Sequence, residues 1–289
     1  QAAALSGKSV DVLLRINPDI DPDVHPYIST GVRNSKFGIS PQNIPALLSR
    51  LKIASALNLV GLHCHLGSTI TNLAVYRKIM KLMADQFESI RSQGFQMKYL
   101  NIGGGLGIDY LMENNGFPTP GELVSVLVDL IPEDAILILE PGRSIVGSAG
   151  VLICSVIGVK RGESRNFIVT DGSMTELIRP SLYGAVHRIN FIEPVRGNIE
   201  KFDIVGPVCE SADFQGKDRD LPTPEEGTGV VVYDTGAYGY AMSSNYNLRL
   251  RPAEYLVDGK ELILIRRAEN IKYQMRSLTS ERITLPVDL

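Results

Sequence analysis

Residues 99–110 read YLNIGGGLGIDY, a short apolar run that passes directly into three consecutive glycines. A strand that ends in glycine leaves backbone amides accessible at its carboxyl end, because no Cβ shields them. Such a turn can hold a phosphate, and a tight turn that merely requires glycine explains the same pattern. The dinucleotide-binding pattern GxGxxG is not matched, because Ile108 stands where its last glycine would be.

Apolar runs of strand length recur through the first half of the chain, with helical patterns between them. The predicted strands are 10–16, 59–65, 98–102 and 135–139, and the predicted helices are 44–51, 75–90 and 121–130. This alternation predicts a parallel sheet with helical crossovers. An α/β barrel and an open doubly wound sheet both produce it.

Polar or glycine-rich segments follow each of these strands, and they favour the barrel. The segments are 15–18, 63–68, 103–105 and 140–143. In a barrel, the turns at the carboxyl ends of the strands meet at one mouth, where active sites lie. We therefore expect residues 1–148 to belong to a TIM-like α/β barrel.

Beyond residue 148 the pattern changes to strands without long helices between them. The predicted strands are 151–159, 166–170, 202–205, 229–233, 254–257 and 261–266. We expect residues 149–289 to form a mostly β domain, with a hairpin turn at Asp258-Gly259 and an exposed loop at 221–226.

Composition excludes several classes of protein. A net charge of −3 with 44% hydrophobic residues is typical of a globular protein and argues against a nucleic-acid-binding one. The apolar runs are too short for a membrane-spanning helix, and the amino terminus lacks the pattern of a signal peptide, so we expect a cut inside a longer chain. Three widely spaced cysteines, Cys64, Cys154 and Cys209, favour a reducing compartment over a disulfide framework.

Two strand-end motifs carry groups suited to a charged ligand. Glu140 and Arg143 lie three residues apart, and they either bind a heterocyclic nitrogen and a phosphate or form an ion pair at a helix end. His63 and His65 share one face of a strand, but without a CxxC pair or a third ligand they do not predict a zinc site.

Three motifs in the second half are also candidates. Arg179 and Tyr183 stand four residues apart on one side of a turn, where they can jointly hold a carboxylate, whereas a solvated arginine is the alternative. Cys209 precedes Glu210, so it is either an acid–base thiol or a buried structural cysteine. Tyr238 lies in a glycine-flanked segment and is either a phosphate ligand or a core tyrosine.

Taken together and in order, seven segments resemble the pyridoxal-phosphate enzymes of the alanine-racemase-like barrel type, and within that group the diaminopimelate decarboxylases. The segments are RINPDIDPDVHPYISTGVRNSKFGI (15–39), GLHCHLGST (61–69), YLNIGGGLGIDY (99–110), EPGRS (140–144), DGSMTELIRPSLYGAVH (171–187), GPVCESADF (206–214) and DTGAYGYAMSSNYN (234–247).

The resemblance implies a site for pyridoxal 5'-phosphate. His65 would stack on the cofactor ring, Glu140 would pair with the pyridine nitrogen, and Arg15 would lie near the ring. The residues implied around the phosphate are Ser68, Gly103, Gly104, Gly105, Arg143 and Tyr238.

It also implies substrate contacts and a partner. The implied ligands of the substrate carboxylate are Arg179, Tyr183, Arg143 and Tyr238. Glu210 would bind the distal ammonium, and Cys209 would protonate the carbanion across the interface of a homodimer with shared sites. Lys36 would meet Asp213 of the partner chain.

The activity implied is decarboxylation of meso-2,6-diaminopimelate to L-lysine and carbon dioxide, the final step of lysine biosynthesis, in the cytoplasm or the plastid stroma. The family's cofactor lysine has a Tyr-Ala-x-Lys context that residues 1–289 lack, so we expect it upstream of Gln1. The resemblance therefore implies that residues 1–148 are the C-terminal portion of the barrel. An inactive homologue acting as a binding or regulatory protein, or a related basic amino-acid decarboxylase, stays as an alternative. An ornithine-type substrate has no distal carboxylate for Arg179, and the Cys209-Glu210 pair disfavours a racemase.

Overall fold

The computed structural model describes residues 2–20, 31, 36–113, 116–276 and 278. The chain divides into two compact units. The first comprises residues 1–152, 186–188 and 233–237, and the second comprises residues 153–185, 189–232 and 238–289. The domain boundary between residues 148 and 149 stays a prediction. No helix in the described part of the chain has the length and apolar character needed to cross a membrane.

The first unit is built on a four-stranded parallel sheet. Its elements are α1 (Ala2–Leu5), β1 (Val10–Arg15), α2 (Ile44–Ile53), β2 (Leu57–His63), α3 (Leu73–Arg91), β3 (Tyr99–Asn101), α4 (Pro120–Ser125), β4 (Ile136–Ile138) and α5 (Arg143–Val146). The strands lie in the order β1-β2-β3-β4, with parallel pairing throughout. This sequential order is that of a barrel segment, since a doubly wound sheet reverses its strand order at a switch point.

The core of this unit lies where α3 packs near the sheet. Asn72 caps α3 by accepting the amide of Ala74 at 2.9 Å. The buried face of the helix includes Ile79, Met83 and Phe87, each 0% exposed, as its helical spacing predicts. Burial of such side chains stabilises the fold by about 1.5–3 kcal/mol each, and it fixes the loops at the strand ends.

One predicted helix is shorter than its apolar pattern indicates. The helix expected over 121–130 ends at Ser125, and a 3₁₀ turn follows at Val128–Leu130. The helix begins with a capping box in which Thr119 and Glu122 exchange side-chain and backbone hydrogen bonds. The amide of Val126 still bonds Glu122 O four residues back, but those of Leu127 and Leu130 bond carbonyls three residues back, so the α-helix gives way to 3₁₀ geometry.

The second unit is mostly β. Its elements are β5 (Leu152–Arg161), β6 (Asn166–Thr170), α6 (Arg179–Tyr183), β7 (Ile189–Phe191), β8 (Ile199–Val205), β9 (Phe214–Pro222), β10 (Gly229–Val232), β11 (Glu254–Asp258), β12 (Glu261–Arg266) and α7 (Ile271–Met275). Six strands form one sheet in the order β7-β10-β5-β6-β8-β9, and β11 pairs only with β12. Strands β6 and β8 pair in parallel, so the sheet is mixed.

The sequence did not predict β7 and β9. Strand β9 forms one edge of the sheet, and its exposed positions carry charged residues such as Lys217 and Asp220, which hide the apolar signal of a strand. The predicted loop at 221–226 is therefore wrong at its start, because Leu221 lies in β9 and is buried. The hairpin loop is shifted by one residue, since Asp258 pairs with Glu261.

Candidate active site

Candidate residues of the first unit gather at the carboxyl ends of its parallel strands. Arg15 ends β1, His63 ends β2, and Asn101 ends β3. Glu140 follows β4 after a single residue, Leu139. Because the strands are parallel, these ends share one edge of the sheet, as the sequence predicts.

The Glu140 carboxylate is held by two neighbours from adjacent strands. Asn101 Nδ2 donates to Glu140 Oε1 at 2.8 Å, and His63 Nε2 lies 3.5 Å from the same oxygen. Both contacts use Oε1, and Oε2 accepts no hydrogen bond from the described residues. The second oxygen can therefore face a ligand while the first fixes the orientation of the group.

The glycine turn is supported by the same network. Asn101 Oδ1 accepts the amide of Gly103 at 2.8 Å, and Gly103 O accepts the amide of Glu140 at 2.8 Å. Gly105 has a φ of +101°, and a Cβ on it would lie 2.1 Å from Gly67 O, so no other residue fits there. The turn therefore does require glycine at position 105, as the tight-turn explanation of the sequence states.

The three amides of this turn are not equivalent. The amide of Gly103 donates to Asn101, and that of Gly104 donates to His65 Nδ1 at 3.2 Å. The amide of Gly105 has no acceptor among the residues that the structure describes. Of the three amides predicted to meet a phosphate, only that of Gly105 is therefore available without breaking a bond in the chain.

His65 is oriented by that turn. Its Nδ1 accepts the Gly104 amide, which assigns the remaining ring proton to Nε2. Burial is the main cause that lowers the pKa of His65, and the charge of Arg15 adds to it against the opposing effect of Glu140. The pKa of His63 is lowered for the same main reason. Both rings are therefore neutral near pH 7.

Arg143 is placed at the start of α5 and is buried, with 7% exposure. Its Nη1 donates to the hydroxyl of Tyr110, and its Cζ lies 5.7 Å from the Tyr110 ring centroid. The other side of Tyr110 makes an edge contact with His187, whose Nδ1 donates to Tyr233 O at 2.8 Å. The guanidinium is therefore positioned through an aromatic residue that the sequence did not indicate.

Ser68 and Tyr238 were predicted to contact the phosphate. Ser68 is partly buried, and its neighbour Thr69 has a positive φ of +63°, an unfavourable value for a β-branched residue. Tyr238 belongs to the second unit, has a φ of +60° and is 41% exposed. That exposure excludes the core-tyrosine alternative.

In the second unit, Arg179 and Tyr183 lie at the two ends of the one-turn helix α6. Arg179 is 3% exposed, which excludes the solvated-arginine alternative. Tyr183 is partly buried. A buried guanidinium costs free energy unless it is paired, so this arginine is suited to a defined anionic contact.

Cys209 and Glu210 are both exposed and lie between β8 and β9. The exposure of Cys209 excludes the buried structural cysteine, whereas Cys64 and Cys154 are buried. Asp213, the predicted partner of Lys36 across a dimer, is buried in its own chain with 4% exposure. The contact between Lys36 and Asp213 stays a prediction.

The residues present suit a pyridine ring that carries a phosphate. Glu140 offers an oriented carboxylate oxygen, His65 a neutral ring, and Gly105 an amide at a position that cannot carry a Cβ. Among the described residues, no group of three or more His, Cys, Asp or Glu could hold a metal ion.

Comparison with known proteins decides the family. The family model described as "Pyridoxal-dependent decarboxylase, pyridoxal binding domain" matches residues 3–147. The chain is 51% identical over 279 residues to a "Probable diaminopimelate decarboxylase, chloroplastic" of Oryza sativa subsp. japonica, with 95% of this chain and 57% of the rice protein covered. The chain belongs to the diaminopimelate decarboxylase family of pyridoxal-dependent decarboxylases.

Two further relatives agree. The diaminopimelate decarboxylase of Aquifex aeolicus is 43% identical, with 94% of this chain and 65% of the relative covered. The crystal structure of the Helicobacter pylori diaminopimelate decarboxylase complexed with L-lysine matches with a TM-score of 0.89 at 34% identity, covering 95% of this chain and 68% of that one. The expected fold class, a barrel of the alanine-racemase type with a β domain, is confirmed. The chain spans less than two thirds of the length of the rice and Aquifex relatives.

Three residues at the candidate site were not predicted from the sequence as partners of the predicted groups. Asn101 and His63 contact Glu140, and Tyr110 contacts Arg143. All three lie within the quoted motifs, and the strand-end position of Asn101 and His63 was the available signal. Their partners come from other strands, which a pattern along one strand does not reveal.

Proposed function

We propose that this chain carries out the decarboxylation of meso-2,6-diaminopimelate to L-lysine and carbon dioxide, with pyridoxal 5'-phosphate as cofactor. The observation that carries the proposal is the convergence of Glu140, His65 and Gly105 at the carboxyl ends of neighbouring parallel strands. The family relationship supports the reaction, and the motifs of the second unit support the substrate.

Most of the residues that would hold the cofactor belong to the first unit. Glu140 would keep a proton on the ring nitrogen, His65 would pack against the ring, and Gly105, Arg143 and Ser68 would bind the phosphate. Tyr238 would contribute to the phosphate site as well. The amides of Gly103 and Gly104 would do so on release of their bonds to Asn101 and His65. Pyridoxal phosphate, when bound, accepts the electron pair left on the α-carbon when carbon dioxide departs.

The substrate is held by the charges that its two ends require. The buried guanidinium of Arg179 binds a substrate carboxylate together with the hydroxyl of Tyr183. Arg143 and Tyr238 also contribute to carboxylate binding. Glu210 binds the distal ammonium group. A substrate without a distal carboxylate would form no ion pair with Arg179, so its kcat/KM should be lower than that of diaminopimelate.

Cys209 supplies the proton that replaces carbon dioxide. The bond between the α-carbon and the carboxyl carbon breaks, and a C–H bond forms with the proton of the thiol. The thiolate left on Cys209 regains a proton from solvent before the next turnover. Thiols titrate close enough to neutrality to serve in this way.

The assembly and the compartment are also part of the proposal. A homodimer with shared sites would bring Cys209 and Glu210 of one copy to the cofactor of the other, with Lys36 and Asp213 at the interface. The rice relative is named chloroplastic, which supports the plastid stroma ahead of the cytoplasm.

The direct test uses the product of the complete coding sequence, loaded with pyridoxal 5'-phosphate. We expect release of labelled carbon dioxide from carboxyl-labelled meso-2,6-diaminopimelate, with stoichiometric L-lysine carrying one solvent deuterium when the reaction runs in D2O. L-Ornithine and L-lysine serve as competing substrates. Turnover of either in preference to diaminopimelate would contradict the substrate, and cofactor binding without turnover of any amino acid would favour the inactive homologue.

The substrate contact has its own variant. Arg179→Gln is expected to raise KM for diaminopimelate about tenfold or more, because it leaves a carboxylate without its cation. Arg196→Gln, at an exposed arginine of the same unit, is the matched control and should leave KM unchanged.

A further inference from the structure

The loop that carries the thiol is short and internally bonded. We call residues 206–213, between β8 and β9, the thiol loop. Within it the amide of Glu210 donates to Val208 O at 2.8 Å, and the amide of Asp213 donates to Glu210 O at 3.0 Å. These bonds shape the loop but do not fix its place against the rest of the unit.

The Asp213 carboxylate provides that fixed place. Its Oδ2 accepts the amide of Val208 at 2.7 Å, directly before Cys209, and its Oδ1 accepts the amide of Met174 at 2.7 Å. One side chain with 4% exposure thus joins the thiol loop to a different segment of the chain. Hydrogen bonds from amides to a carboxylate are among the stronger ones in proteins.

The segment at the other end of this connection is itself held firmly. Glu176 accepts both the amide and the hydroxyl of Ser173 at 2.8 Å, and Arg249 lies 3.5 Å from the Glu176 carboxylate. Arg249 Nη2 also donates to Asp171 O at 2.6 Å. The residues on either side of Met174, Ser173 and Glu176, are therefore held by hydrogen bonds, so the Met174 amide has a fixed position.

Two further features serve the same arrangement. A Cβ on Gly206 would lie 2.5 Å from Asp213 Oδ2 and 2.6 Å from Ser173 Cβ, so only glycine lets the carboxylate approach. The hydroxyl of Ser181, in α6, donates to Ala212 O at the far end of the loop. The loop is thus connected to α6, which carries Arg179 and Tyr183.

We propose that Asp213 is a positioning residue that sets the place of the Cys209 thiol by joining Val208 of the thiol loop to Met174. Its catalytic consequence rests on the function proposed above. This role is intrachain, and it uses both carboxylate oxygens, so it is different from a contact with Lys36 of a second copy.

The test is Asp213→Asn, which keeps the size and shape of the side chain. Its amide nitrogen cannot accept a hydrogen bond, so one of the two bonds from Val208 and Met174 is lost. We expect amide hydrogen exchange at Val208 or Met174 to become about tenfold faster, as loss of one such bond predicts. Alkylation of Cys209 by iodoacetamide, followed by peptide mass, should become faster as well. In the loaded enzyme, kcat should fall while KM changes little, because proton delivery is affected and substrate binding is not.

Asp203→Asn is the matched control. Asp203 is 6% exposed, accepts the amide of Asp218 at 2.8 Å and pairs with Arg165 at 3.0 Å, and neither partner lies in the thiol loop. It should lower stability without changing exchange at Val208 or the reactivity of Cys209. If Asp213→Asn does not fold, Gly206→Ala is the second variant. It retains the Asp213 carboxylate but pushes it aside with a new Cβ, so it should also speed exchange at Val208 or Met174 and alkylation of Cys209.

The outcomes separate the proposals. Unchanged exchange at Val208 and Met174 with unchanged Cys209 alkylation in Asp213→Asn overturns the inference, as does loss of the dimer without any local change. Absence of decarboxylation in the wild-type protein would contradict the proposed function but leave the exchange and alkylation results to decide the role of Asp213.

Discussion

Asn101 donates from Nδ2 to Oε1 of Glu140 at 2.8 Å, joining the end of β3 to the segment after β4. Its Oδ1 simultaneously accepts the amide of Gly103. One asparagine therefore orients the carboxylate proposed to hold the pyridine proton and the turn proposed to approach the phosphate. An amide side chain is required for this, because a carboxylate accepts but does not donate.

Asn101→Asp removes the hydrogen bond to Glu140 but keeps an acceptor for the amide of Gly103. The variant also places a second carboxylate against Glu140, and two adjacent carboxylates cannot both stay ionised without cost. We expect the Kd for pyridoxal 5'-phosphate to rise about 10- to 100-fold, measured by equilibrium dialysis rather than by activity. Asn58→Asp is the control, because Asn58 bonds Asp11 at an exposed position of the same sheet. Equal affinities of the two variants would contradict this role of Asn101.

Tyr110→Phe tests the support of Arg143. Removing the hydroxyl takes away a charge-assisted hydrogen bond from a buried guanidinium. We expect cofactor affinity to fall about tenfold, while the affinity for pyridoxal without its phosphate stays unchanged. Tyr99→Phe, in β3, is the matched variant, since the Tyr99 hydroxyl bonds nothing in the described part of the chain. A loss of equal size for pyridoxal and its phosphate would show that Arg143 does not act on the phosphate.

The sequence predicted the parallel sheet well because its signals are local. Strand and helix patterns near Leu62, Leu100 and α3 place apolar side chains in the core, and glycine or polar residues mark the strand ends. The family resemblance, carried by motifs in order, was confirmed.

What the sequence missed depends on contacts between distant segments. The pairing of Asn101 with Glu140 joins two strand ends, and the bonds of Asp213 to Val208 and Met174 join a loop to a turn. Strand β9 was missed because edge strands carry charged residues that interrupt the apolar pattern. None of these contacts has a periodic signal along the chain.

Acid should destabilise the first unit through its two strand-end histidines. Burial lowers the pKa of His63 and His65 below the ordinary value of 6.5. Just below pH 6.5 the unfolded chain then binds more protons than the folded chain, so this contribution to stability is full above 6.5 and falls as the pH decreases. The slope is at most about 1.4 kcal/mol per pH unit for each histidine. Chemical denaturation between pH 5 and pH 8 measures it.

A variant distinguishes the histidines from the carboxyl groups in that experiment. His63→Asn with His65→Asn should flatten the loss of unfolding free energy between pH 6.5 and pH 5, because neither side chain then titrates. An unchanged pH profile in the double variant would assign the acid sensitivity to other groups.

The three thiols should differ sharply in reactivity. Burial raises the pKa of Cys64 and of Cys154 to about 12, and these side chains are 0% and 3% exposed. Cys209 is exposed. Because the thiolate is the reactive form, we expect only the Cys209 peptide to be alkylated within minutes at pH 8 in the native protein, and all three in denaturant. Cys154→Ser should leave the fast reaction intact and Cys209→Ser should abolish it. Fast native labelling of Cys64 would mean that the segment after β2 opens to solvent in the native protein, which would contradict the burial of Cys64.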